Sequence, residues 1–84
     1  MYNPFEDPTA SRILRAFSHP HDLWRTPGGI ARETGLPFHT VQLYLRDHPD
    51  LFRLSPLVPG GTPLYSLHPD VRSKLLRGLT DKLV

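Results

Sequence analysis

Ile30-Ala31-Arg32-Glu33-Thr34-Gly35-Leu36-Pro37-Phe38-His39-Thr40-Val41-Gln42-Leu43-Tyr44-Leu45 is the stretch on which the fold turns. Gly35 can take the positive φ that stops a helix. Leu36 then turns inward, and Pro37, with its fixed φ and missing amide hydrogen, opens the next helix. Two short helices cross closely only where the first offers a small side chain, and Ala31 supplies it. The second helix of the pair has Val41, Tyr44 and Leu45 on its buried side and ends near His48-Pro49. The first begins at Thr26-Pro27, a hydroxyl cap followed by a first-turn proline.

Toward the N-terminus, Asp7-Pro8 repeats that cap, and Ala10, Ile13, Leu14 and Phe17 follow at the spacing of one helical face, which predicts a helix over residues 8 to 18. His19-Pro20-His21-Asp22 ends it. Two histidines and an aspartate in one loop are better read as a helix boundary than as metal ligands, since no further spaced ligand accompanies them. Leu23-Trp24-Arg25 is a short extended piece, with Trp24 expected in the core. Toward the C-terminus, residues 51 to 58 and 63 to 67 flank Pro59-Gly60-Gly61-Thr62, turn chemistry between two β-capable runs, and predict a hairpin. His68-Pro69-Asp70 then caps a last helix in which Val71, Leu75, Leu79 and Leu83 recur every four residues.

The chain has 84 residues, the size of one domain. With 38% hydrophobic and 21% charged residues it should fold. Ten Lys and Arg against eight Asp and Glu leave a net charge of only +2, so any role on nucleic acid depends on where the arginines fall. No cysteine is present, which excludes disulfides, thiolate metal sites and a cysteine nucleophile. Met1 to Asp7 lacks a basic stretch followed by an apolar one, and no run approaches the roughly 20 apolar residues of a membrane span. A cytoplasmic protein is expected. No nucleophile turn or glycine-rich phosphate loop is recognisable, so neither an enzyme nor a cofactor site is expected.

Residues 30 to 45 resemble a helix-turn-helix. Tyr65-Ser66-Leu67-His68-Pro69-Asp70-Val71-Arg72 looks like the second wing strand running into the last helix of bacterial repressors of the MarR, PadR and IclR types, where the usual form is tyrosine, any residue, leucine, threonine, proline, acid. The resemblance covers nearly the whole chain. It implies an α+β, mainly α, winged helix-turn-helix: a three-helix core, a β-hairpin wing and a C-terminal helix in one domain over residues 1 to 84. The helix-turn-helix would occupy about 27–47, the wing about 51–67 and the last helix about 69–84.

In such repressors the third helix enters the major groove of double-stranded DNA. With Val41 and Leu45 inward, His39, Gln42, Leu43 and Arg46 point outward and Thr40 and Asp47 lie at the margins. Gln and Arg can pair with adenine and guanine edges. Arg32, Arg53 and Arg25 are the candidates for phosphate contacts. The expected wing carries no Lys or Arg between Arg53 and Arg72, a departure from the repressor pattern. The alternative is a winged-helix module that binds protein through Leu43, the neutral wing or the last helix. The stripe of Val71, Leu75, Leu79 and Leu83, widened by Leu76 and Val84, also suggests a homodimer through the last helix.

Overall fold

The computed structural model describes residues 1–56 and 59–81, with Pro59 and residues 79–81 described by backbone only. An arm with one 3-10 turn at Pro4–Glu6 leads into α1 (Pro8–Arg15), followed by α2 (Pro27–Thr34), α3 (Phe38–Asp47), β1 (Phe52–Leu54), β2 (Tyr65–Leu67) and α4 (Pro69–Asp81).

Asp7 caps α1, its Oδ1 accepting from the amides of Thr9 and Ala10 at 3.0 and 3.3 Å. The helix stops three residues earlier than the apolar spacing suggests. Ala16, Phe17 and Ser18 bond back to Ile13, Leu14 and Arg15 in a tightened turn. Two carbonyls of that turn face arginines instead of a further helical turn: Arg25 donates to Ala16 and Arg72 donates to Phe17. Thr26 caps α2 through the amide of Gly29, at 3.0 Å. Gly35 closes α2 at φ 76°, its amide bonding to the Ala31 carbonyl. An L side chain disfavours this left-handed backbone and glycine does not.

β1 and β2 pair antiparallel with Phe52 opposite Leu67, Arg53 opposite Ser66 and Leu54 opposite Tyr65. The ladder is shorter than the two runs in the sequence. Pro56, Pro59 and Pro63 lack the amide hydrogen that continued pairing needs, and the Ser55 amide donating to the Leu64 carbonyl extends the ladder by one bond. Gly60 and Gly61 turn the tip at φ 63° and 76°. Residues 23–25 reach the sheet at a single bridge, where Arg25 and Tyr65 exchange both backbone hydrogen bonds at 2.7 and 2.8 Å.

One core joins all the elements. Ile13, Leu14, Phe17, Ile30, Val41 and Leu45 are fully buried, Leu51, Phe52, Leu67, Val71 and Leu75 nearly so, and Ala31, Leu36, Tyr44 and Tyr65 pack against them half-buried. Each fully buried aliphatic or aromatic side chain contributes roughly 1.5–3 kcal/mol relative to an exposed one. Trp24 departs from the expectation of a core aromatic. Arg25 turns its side chain inward, strand alternation therefore turns Trp24 outward, and the indole is exposed. In α4, Val71 and Leu75 are buried and Leu76 is exposed, while Leu79, Leu83 and Val84 of the predicted stripe have side chains outside the described residues.

Candidate nucleic-acid interface

α3 is set by what it buries. Val41 and Leu45 are 0% and 1% exposed, which fixes the helix's rotation about its axis and leaves His39, Thr40, Gln42, Arg46 and Asp47 exposed on the opposite side. Leu43 shares that side but is half-buried. Phe38, in the first turn, is exposed, and the outward set read from the sequence did not include it.

The start of α3 differs from those of α1 and α2. Pro37 is its cap residue, and among the described residues no side chain bonds its first-turn amides. The unbonded amides and the positive end of the helix dipole therefore lie beside His39 and Thr40. Near the other end, Arg46 Nε stands 3.7 Å from Asp47 Oδ1, with both side chains about two-thirds exposed. A pair this exposed is worth little, so the guanidinium remains available to an incoming acceptor.

The three candidate phosphate arginines part company. Arg32 is exposed on α2 and has no side-chain partner among the described residues. Arg53 lies on the outer face of β1 with its guanidinium 5.5 Å from the centre of the Trp24 ring. Register explains that contact. Ser66 sits opposite Arg53 and next in line to Trp24, and its small side chain lets the guanidinium reach across to the indole. Arg25 is drawn inside: its side chain is 15% exposed, donating to the Ala16 carbonyl and lying 3.5 Å from Glu33.

Arg25 belongs instead to a set that ties helix ends together. Arg12 donates to the carbonyl of Thr34 at the end of α2, and Arg72 donates to Phe17 and, at 3.3 Å, to His19 beyond the end of α1. His19 also pairs with Glu33 at 2.8 Å. Burial alone would raise the Glu33 carboxyl, but the hydrogen bond from His19 and the charge of Arg25 outweigh it and hold the group below its ordinary value.

The arm adds a contact to α3 that sequence reasoning missed. The Tyr2 hydroxyl lies 2.9 Å from that of Tyr44 and donates to Asp7 Oδ2 at 3.1 Å. Tyr44 stacks on His48 with ring centres 4.0 Å apart, and His48 Nδ1 donates to the Tyr44 carbonyl at 2.8 Å. Burial, the Tyr2 hydroxyl and the carboxylates of Asp7 and Asp50 push the Tyr44 phenol upward, so it is neutral across the biological range. One signal for this contact is present in the sequence: a tyrosine at a core position needs a partner for its hydroxyl.

Among the described residues no three His, Cys, Asp or Glu side chains come together as a metal site, and no helix is long and apolar enough to cross a membrane.

No family model matches the chain, and no curated protein is similar to it in sequence. Solved structures do resemble it. The AntR antimony-specific transcriptional repressor matches over 90% of this chain and 68% of its own, with TM-score 0.73 and 22% identity. NolR from Sinorhizobium fredii matches over 93% and 75%, with TM-score 0.67 and 20% identity. A protein described as a possible transcriptional regulator, from Methanosarcina mazei Go1, matches over 95% and 75%, with TM-score 0.57 and 16% identity. Likeness at these identities is likeness of fold, and with α2, the Gly35 turn, α3 and the β1–β2 hairpin in this order the chain has the winged helix-turn-helix fold.

Proposed function

We propose that residues 1 to 84 are one DNA-binding domain of a transcriptional regulator acting in the cytoplasm, with α3 in the major groove of duplex DNA. The observation that carries this reading is the two-sidedness of α3: Val41 and Leu45 wholly buried, His39, Thr40, Gln42 and Arg46 exposed, on a helix whose first amides have no side-chain cap. Gln42 and Arg46 supply base contacts, and Arg32 and Arg53 supply phosphate contacts. Arg25 holds the fold and takes no part. The antimony-specific repressor and the possible transcriptional regulator of the same fold support the reading by analogy.

The test is fluorescence anisotropy with a random duplex across a salt series. Affinity should fall steeply between about 50 and 200 mM salt, as counterion release requires. Arg46→Ala should weaken binding to a selected site by about 1–3 kcal/mol, and Gln42→Ala should relax sequence preference more than it lowers affinity. Salt-independent binding, or both variants binding like the parent, would sink the reading in favour of a protein-binding module.

The same reading carries a homodimer through α4, which would double the cations offered by a domain of net charge +2. Of the expected seam, Val71 and Leu75 are buried within the domain, and Leu76 is the exposed member whose side chain is described. Sedimentation equilibrium should give a mass that rises toward the dimer at hundreds of micromolar and falls back in Leu76→Glu. A parent that stays monomeric there would end the dimer.

A further inference from the structure

We infer that the cleft between the N-terminal arm and α4 is a binding site for a small zwitterion with an apolar side chain, an α-amino acid of the large hydrophobic kind. The cleft is open to solvent along one side and offers about 510 Å³, inside the roughly 300–1,000 Å³ of small-molecule sites. Its floor is the margin of the core, where Leu51 and Val71 are each 8% exposed, and its rim is formed by exposed aromatic rings of the arm, Tyr2 and Phe5. Met1 lines the cleft too, but it is fully exposed and water screens its ammonium, which leaves Glu6 on the arm and Lys74 on α4 as the charged side chains of the cleft, neither in an ion pair among the described residues.

That pair of charges selects the ligand. A simple carboxylate would be attracted by Lys74 and repelled by Glu6, and a simple amine the reverse. A molecule carrying an ammonium and a carboxylate on one carbon satisfies both, and its side chain covers Leu51 and Val71. Tyr2 gives occupancy a route to α3, because the tyrosine that rims the cleft also bonds the Tyr44 hydroxyl and lies 5.7 Å, ring to ring, from His48. The site stands independently of the nucleic-acid reading, and its test uses no DNA.

The experiment is an NMR titration of the isotope-labelled domain with L-phenylalanine, phenethylamine and 3-phenylpropionate, the last two keeping the ring and one charge each. Phenylalanine should give saturable shifts on the arm, Leu51, Val71 and Lys74, and each one-charge probe should bind about tenfold more weakly. Lys74→Gln should erase the advantage of phenylalanine over phenethylamine, and Glu6→Gln its advantage over 3-phenylpropionate. Both side chains are exposed, so the variants should keep the parent's spectrum. Tyr44 and His48 signals should move on the same isotherm, and saturation that leaves them still would overturn the route to α3. Equal affinity of the three probes, no saturation by phenylalanine, or the same shifts arising from protein concentration alone with a doubling of mass would overturn the site.

Discussion

The helix-turn-helix and the wing lie side by side in the chain and are held by different means. Between Thr26 and Asp47 the elements are fixed from within: a side-chain cap opens α2, a left-handed glycine closes it, and Ile30, Val41 and Leu45 are sealed in the core. The wing has two strands of three residues, a tip turned by two left-handed glycines, and Leu54 58% exposed at its outer end. The rigid half carries the polar face, and the looser half carries no cation between Arg53 at its root and Arg72 in α4. A surface meant to discriminate gains from being built on the part whose geometry is over-determined. Here that part is α3, the helix proposed for the major groove, while the wing offers shape and one guanidinium at its base.

Substitutions can push on that contrast from both sides. Leu45→Ala removes a 1% exposed side chain beneath the polar face of α3 and should cost about 2–5 kcal/mol in urea unfolding, whereas Leu54→Ala in the wing should stay within about 0.5 kcal/mol. Comparable losses at the two positions would mean that the wing is as tightly built as the helices. The glycines offer a matched pair. Gly35→Ala forces φ 76° on a side chain at the turn that joins α2 to α3 and should cost about 1–2 kcal/mol. Gly60→Ala, at φ 63° in an open tip with nothing within 4 Å of the added carbon, should cost less because the tip can relax. A larger loss at Gly60 would reverse the ranking of the two halves. The smallest effect concerns charge. Thr62→Lys places a cation on the bare tip and should steepen the salt dependence of duplex binding by about 0.9 in logarithmic slope if the tip lies near a phosphate. An unchanged slope would put the wing off the duplex altogether.

What could be read from the sequence was local. The caps at Asp7 and Thr26, the stop at Gly35, the inward positions Val41 and Leu45 and the order of elements each follow from a few neighbouring residues, and the structure keeps them. What could not be read is made by contacts between distant positions. Arg25 looks like any surface arginine until the turn after α1 presents the Ala16 carbonyl to it, nine residues away. Trp24 reads as core by composition, yet the single bridge at Arg25 decides which neighbour faces in. Tyr2 meets Tyr44 across 42 residues. The outward face of α3 lies between these cases, because periodicity fixes its rotation but not the half-burial of Leu43 or the exposure of Phe38.

The arginines that hold the helix ends bear on how the molecule could be handled. Arg12, Arg25 and Arg72 are anchored on backbone carbonyls, which are dipoles and not ions. Such contacts are far less sensitive to dissolved ions than the attraction between a free arginine and a phosphate, which salt dismantles. Washing the domain in concentrated salt should therefore strip away adhering polyanions while the helices stay locked together, so that adhesion and unfolding fall at well-separated ionic strengths and each can be measured without the other intruding.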